Sequence, residues 1–192
     1  MNLNAAVIGW GKSGQGAAGA LLARHWRVSA FASRATDALS FDDVADVPVH
    51  VEEDAGVLVS AVVDARPDLV VVSPGIPAHH PIFTACQDAG IDLWGEVELA
   101  WRLQEEGPHA GRPWLTVTGT NGKTTTVGML GEILRASGVE AEEVGNIGTP
   151  ITRAIDSDAE VFAVELSSFQ LHTARTVRPL ASVCLNVDAD HL

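Results

Sequence analysis

The stretch Thr116–Thr126, TVTGTNGKTTT, sets a glycine-lysine-threonine turn between an apolar run and a segment with apolar residues at helical spacing. Trp114, Leu115 and Val117 precede the turn as a buried strand would. Val127, Leu130 and Leu134, with Met129 and Ile133 alongside, follow it at helical spacing until Gly138 offers a stop. Strand, glycine turn and helix in that order form a nucleotide phosphate cradle. Glycines let backbone N–H groups converge on phosphate oxygens, and the helix aims its positive N-terminus at the same anion. Lys123 can reach the outer phosphates, and the Thr124 hydroxyl can ligate magnesium. The strict eight-residue pattern has glycine where this chain has Val117, so the motif is a shortened variant, GTNGKTT, spanning Gly119, Thr120, Asn121, Gly122, Lys123, Thr124 and Thr125. A bare match to so short a pattern is often an ordinary loop and helix cap. The flanking strand and helix carry the assignment.

Outward from the turn, strand-like and helix-like segments alternate, the pattern of parallel strands joined by crossover helices. The fold class is α/β. In the N-terminal half, residues 5–8, 28–32, 67–73 and 91–94 read as strands, and residues 14–25, 81–90 and 96–105 as helices. Residues 107–113, GPHAGRP, concentrate glycine and proline without apolar periodicity and read as a linker. A second α/β unit then begins at Trp114, with strands expected at residues 114–118, 141–144, 161–166 and 181–187.

The first unit has its own glycine turn, GWGKSG at Gly9–Gly14, between its first strand and first helix. That placement matches a dinucleotide-binding, Rossmann-like layout, in which a pyrophosphate approaches the helix N-terminus. NAD fits poorly, because the second strand ends in Ala32, Ser33 and Arg34 rather than an acidic residue that could hold ribose hydroxyls. An arginine there suits a phosphate or a uracil carbonyl. An NADP oxidoreductase, or a glycine turn that only closes helix on strand, remain the alternatives for this unit. A further turn, Ser73-Pro74-Gly75-Ile76-Pro77, ends the strongest strand, where doubly wound sheets face their ligand crevice.

In the second unit Glu165 closes the run VFAVE, and an acid beside a phosphate loop commonly ligates or orients magnesium. Asn146 lies in VGNIGTP, and Asp190 and His191 follow SVCLNV. Taken alone each could be a solvated surface residue. Near a magnesium-phosphate site, His191 becomes a candidate ligand or hydrogen-bond partner.

Composition narrows the classes. The chain has 192 residues, of which 46% are hydrophobic and 19% charged, enough apolar content for one or two cores. A formal charge of −13 argues against nonspecific nucleic-acid binding, so phosphate must be held by local cradles. Cys86 and Cys184 form no framework or metal cluster and read as buried thiols. Neither a signal peptide nor a run of membrane-spanning length is visible, and the expected location is the cytoplasm.

Together, GTNGKTT, GNIGTP, ELSSFQL at Glu165–Leu171 and NVDADH at Asn186–His191 resemble the Mur ligases of bacterial peptidoglycan synthesis. ELSSFQL is similar to the members that add D-glutamate, and GWGKSG and VVSPGIP agree. The siblings that add the first or third peptide residue carry other residues at SSFQL. The resemblance covers essentially the whole chain. It implies a Rossmann-like domain at residues 1–106 that binds the UDP part of the substrate, the linker at 107–113, and an incomplete P-loop ATP-binding domain at 114–192. Lys12, Ser13, Ser33, Arg34, Ser73, Pro74 and Gly75 would then lie near the nucleotide, and Asn146 and Ser167 near the muramoyl-alanine part. The D-glutamate-adding members often carry aspartate at the position of Ala32, which this chain lacks.

The implied reaction joins D-glutamate to UDP-N-acetylmuramoyl-L-alanine through an acyl phosphate made from ATP. Lys123 would bind the transferred phosphate, with Thr124 and Glu165 on one magnesium ion and His191 on a second. Lys123, Glu165 and His191 are the catalytic candidates. Relative to the family the chain stops part-way through the central domain, before a carbamylated lysine and a C-terminal domain. The expectation is an N-terminal portion without ligase activity of its own. Another Mur ligase, or a non-catalytic module that kept both cradles, are the alternative readings.

Overall fold

Short apolar runs bounded by glycine, proline or polar residues become buried parallel strands, because crossover helices cover both faces of the sheet. The computed structural model describes residues 3–35, 40–146 and 148–188. Five parallel strands, β1 (Asn4–Ile8), β2 (Arg27–Ala32), β3 (Val49–Val51), β4 (Leu69–Val72) and β5 (Asp92–Gly95), form the first sheet in the order β3-β2-β1-β4-β5. Helices α1 (Lys12–Leu22), α2 (Ala55–Asp64), α3 (Ile82–Ala89) and α4 (Glu96–Glu105) connect or follow them. Ile8 of β1 pairs in register with Phe31 of β2 and Val72 of β4. The turns after β1, β2 and β4 therefore emerge side by side at the carboxyl edge of the sheet.

The second sheet has four parallel strands, β6 (Trp114–Thr118), β7 (Ala141–Gly145), β8 (Val161–Glu165) and β9 (Ala181–Cys184), in the order β7-β8-β6-β9. Its helices are α5 (Lys123–Ala136), α6 (Ile151–Ala154) and α7 (Ser168–His172). The central strand β6 carries the glycine turn, with its neighbours lying on opposite sides. That is the switch point at which open α/β sheets bind ligands.

Both sheets share one core. Trp114, Phe162 and Val164 of the second sheet pack in the same cluster as Leu99, Ala100 and Leu103 of α4, Ala17 and Leu21 of α1, and Ile151 and Ile155 around α6. The opposite face of the second sheet is thinner: among the described residues Val117 and Ala163 are buried there with Val127 of α5, and Leu130 and Leu185 pack against them. Met129 and Ile133, expected beside the apolar stripe of this helix, are 60% and 61% exposed. Among the described residues no helix is long and apolar enough to cross a membrane.

Several boundaries differ from expectation for physical reasons. Helix α1 begins at Lys12, ahead of the expected Gly14, and stops at Leu22. His25, with φ 63°, then reverses the chain, and Trp26 N–H bonds the Leu21 carbonyl at 3.1 Å while His25 N–H bonds Leu22 at 2.9 Å. Those two bonds satisfy carbonyls that the helix end leaves open. Helix α2 is rich in valine and resembles a strand by composition. Its start is fixed by Asp54, whose carboxylate accepts the N–H groups of Gly56 and Val57 at 2.8 and 2.9 Å. Strand β9 ends at Cys184 rather than Val187, because Asn186 turns toward the loop after β6. No described element covers β9, so Cys184 is exposed while Cys86 is buried, which corrects the expectation of two buried thiols.

Residues 107–113 contain no helix or strand, yet they are fastened at one end. Arg112 is buried, and its guanidinium donates to the carbonyls of Ile155 at 3.3 Å and Ser157 at 2.5 Å, just past α6. Gln104 donates to the Arg112 carbonyl at 3.1 Å and accepts the Trp114 indole N–H at 2.9 Å.

Candidate functional site

The turn after β1 is close-packed. A side chain on Gly14 would run into the Gly9 carbonyl oxygen, and one on Gly9, whose φ is +92°, would meet Ser73. The Ser73 hydroxyl donates to that same carbonyl at 3.0 Å, pinning the β4 turn to the β1 turn. These contacts open a cavity of about 710 Å³ at the carboxyl edge of the first sheet. Lys12 and Ser13 line it from the glycine turn, Ala32, Ser33 and Arg34 from the end of β2, and Ser73, Pro74 and Gly75 from the end of β4.

The cavity also belongs to the second unit, because Gly145, Asn146 and Gln170 complete its wall. Lys12 Nζ donates to the Gly148 carbonyl at 2.6 Å, so the two glycine-rich turns touch. Ser167 does not line the cavity. It caps α7, with its hydroxyl accepting the Gln170 N–H at 3.3 Å while Gln170 Oε1 accepts the Ser167 N–H at 2.9 Å. Gln170, three residues further on, lines the wall.

The second cradle is built at the carboxyl ends of β6, β7 and β8. Gly122, with φ +86°, caps α5 in the left-handed region that glycine enters freely. Lys123 Nζ turns back onto the loop and donates to the carbonyls of Gly119 at 2.7 Å and Thr120 at 3.0 Å. Register places Glu165 opposite Val117 on one side and Gly145 on the other. Its carboxylate therefore meets both neighbouring turns, accepting the Thr124 hydroxyl on Oε2 at 2.8 Å and the Asn146 amide on Oε1 at 2.9 Å. Asn146 lines the cavity and bonds Glu165 at once, which links the two cradles through a single side chain.

Asn186, outside the site residues expected from sequence, holds the loop. Its Oδ1 accepts the Asn121 N–H at 2.9 Å, its amide donates to the Asn121 carbonyl at 3.0 Å, and its own carbonyl accepts the Thr120 N–H at 3.2 Å. Gln15 is a second such residue, buried in α1 and bonded to the Trp10 carbonyl at 3.0 Å and the Ser40 N–H at 2.6 Å. A polar residue inside an apolar helix was the available signal for it. Thr125 is exposed in the first turn of α5. Asp190 and His191 lie outside the described residues.

Thr124 and Glu165 offer the hard oxygen donors that magnesium takes. Among the described residues no group of three or more His, Cys, Asp or Glu is placed to hold a metal ion. The donor set thus fits an ion held chiefly through phosphate oxygens and water, with few protein ligands, rather than a protein cage.

Two parallel α/β units, each with a glycine turn after its first strand, joined through a common core and bordering one cavity, define the class of this molecule. The chain belongs to the Mur ligase family. Residues 3–95 match the Mur ligase MurD-like N-terminal domain and residues 117–192 the Mur ligase middle domain. The chain is 46% identical over 199 residues to a UDP-N-acetylmuramoylalanine–D-glutamate ligase of Frankia casuarinae, covering 97% of this chain and 38% of that protein. It is 57% identical over 126 residues to the protein of the same name from Mycolicibacterium vanbaalenii, covering 65% of this chain and 26% of the other. Among solved structures, the UDP-N-acetylmuramate:L-alanyl-gamma-D-glutamyl-meso-diaminopimelate ligase from Neisseria meningitides superposes with a TM-score of 0.56 at 21% identity, covering 100% of this chain and 62% of that one. UDP-N-acetylmuramate-alanine ligase MurC from Thermotoga maritima gives 0.56 at 17% identity, covering 99% and 43%. At these identities the two structures support the fold alone.

Proposed function

We propose that this chain carries the substrate-nucleotide cradle and the ATP-phosphate cradle of a D-glutamate-adding Mur ligase. Residues 1–106 would form the UDP-substrate domain, 107–113 the connection, and 114–192 part of the ATP-binding domain. The observation that carries the reading is the Asn146 side chain, which borders the cavity and bonds Glu165, the acid paired with Thr124 of the phosphate loop. One amide thus stands between a site for a large anionic substrate and a site for a triphosphate.

In this reading the UDP-N-acetylmuramoyl-L-alanine nucleotide lies against the turns of Lys12–Ser13, Ser33–Arg34 and Ser73–Gly75, with its carboxylate end toward Asn146. The ATP phosphates occupy the turn at residues 119–125. Phosphate oxygens replace the two carbonyls that Lys123 now contacts, and its ammonium stabilises charge on the transferred phosphoryl group. Glu165 and Thr124 would hold magnesium, which, when bound, offsets the repulsion between a carboxylate and a triphosphate. The D-glutamate amine then displaces phosphate from the acyl phosphate. His191 is proposed as a ligand to a second ion from the family resemblance.

Lys123→Ala in the complete ligase is the test. Acyl-phosphate formation should fall by at least about 10²-fold, the scale of removing one transition-state charge partner, while affinity for UDP-N-acetylmuramoyl-L-alanine stays within about threefold. Equal loss of both would contradict the assignment of two cradles to two ligands.

A further inference from the structure

Three glutamates are buried at the strand ends and helix starts, and two of them are fully engaged. Glu165 has Thr124 and Asn146. Glu98 has Arg102 at 2.7 Å and both the N–H and the hydroxyl of Thr176 at 2.8 and 2.7 Å. Glu96, the first residue of α4, is 2% exposed and differs from both. Its Oε1 accepts only long bonds from the Thr152 N–H at 3.4 Å and the Thr152 hydroxyl at 3.3 Å. Oε2 has no partner in hydrogen-bonding geometry among the described residues. The Ser13 hydroxyl and the Ile151 N–H also face the carboxyl, from α1 and α6.

A buried carboxyl left this incompletely bonded costs stability that an apolar residue would not. It lies where the helix of the first cradle meets the helix that follows the Asn146 turn. We propose that Glu96 is a positioning residue, whose carboxyl ties Ser13 of the first unit to Thr152 of the second and so holds both walls of the shared cavity in one register. This rests on the proposed function only for its consequence in nucleotide binding.

The charged groups of the surrounding elements are turned elsewhere. Lys12 on α1 reaches Gly148, Arg153 on α6 pairs with Asp43 at 2.5 Å, and Glu98 on α4 holds Arg102. Burial without a cation pushes the Glu96 carboxyl up to about 7. The Thr152, Ser13 and Ile151 groups all donate to the carboxyl and favour its charged form, but burial outweighs them, so ionisation is relieved by opening the junction to water and the tie loosens as pH rises. Glutamine keeps the shape and the neutrality.

Amide hydrogen exchange on the whole 192-residue chain tests this in wild type, Glu96→Gln and Glu96→Ala, at pH 6 and pH 8.5, corrected for intrinsic chemistry. At pH 6, Glu96→Ala should speed exchange about tenfold or more in residues 10–16 and in residues 148–153 together, with β1 and β4 unchanged. Glu96→Gln should exchange more slowly than wild type in both segments at pH 8.5, and by a larger factor than at pH 6. Loosening of one segment alone, or Glu96→Gln behaving as Glu96→Ala, overturns the proposal. Should Glu96→Ala fail to fold, the glutamine comparison at the two pH values decides by itself. Calorimetric titration with UDP separates the two readings. Wild type that does not bind UDP sinks the assigned ligand while the exchange result still decides the tie. If wild type binds, Glu96→Ala should bind about fivefold more weakly and Glu96→Gln at least as tightly at pH 6, by the logic of preorganised sites. Unchanged affinity in Glu96→Ala would remove the consequence for binding.

Discussion

The two glycine turns solve the same problem with different support. The first is held by close packing, Gly9 and Gly14 against Ser73 and β1, over a core that both sheets share. The second is held by polar bonds, with Asn186 clamping Asn121 and Thr120 and Lys123 bonded to its own loop, over a thin apolar layer of Val117, Val127 and Ala163. Packing makes a rigid wall, which suits a cavity that must recognise shape. A loop held by exchangeable hydrogen bonds can trade internal carbonyls for phosphate oxygens, which suits a group that arrives and leaves in each turnover.

The comparison is most exposed to substitutions in the two cores. Phe162, fully buried in the shared cluster, should cost about 3–5 kcal/mol as alanine, whereas Val127→Ala on the inner face of α5 should cost about 2 kcal/mol. Denaturant midpoints would measure both. Comparable losses would mean that the two units do not lean on one core. The shared core also contains the junction at Glu96, and there the sign of the pH effect is fixed. The folded carboxyl sits near 7, above its ordinary 4.5, so the folded state holds the proton more tightly than the unfolded chain. Its contribution is fully present below about 4.5 and is lost as pH rises through about 7, on the order of 3 kcal/mol in all. Urea unfolding of wild type minus Glu96→Gln should show that slope between those pH values, and a flat difference would sink the claim. On the polar side, Asn186→Ala removes two side-chain bonds to the loop and should cost about 1–2 kcal/mol while weakening ATP binding more than UDP binding. An equal effect on both ligands would erase the distinction between the cradles.

The same contrast explains what could be read in advance. The strands β1, β4, β6 and β8 are continuous apolar runs ended by glycine or a polar residue, so period and punctuation disclosed them. Arg34, Ser73, Asn146 and Glu165 sit at strand ends and Lys12 and Thr124 in the first turn of the helices that follow, where a parallel sheet exposes its turns, and their positions followed from the same pattern. What escaped depends on contacts between distant residues. The edge strand β3 has three exposed residues and one partner strand, and α2 owes its start to the Asp54 cap rather than to its valines. Gln170 lines the cavity from within the capping box it shares with Ser167, and Asn186 clamps a loop 65 positions away. Nor does local sequence say that Phe162 packs in one cluster with Leu99 and Leu21.

In the proposed function the packed cavity, bordered by both units, takes a UDP-linked acid. Calorimetric titration of the chain with UDP-N-acetylmuramoyl-L-alanine, against NADPH as competitor, tests it directly. Saturable binding of the UDP-linked compound that Asn146→Ala weakens, and none of NADPH, is the expected result. Binding of NADPH without any response to the UDP-linked compound would contradict it.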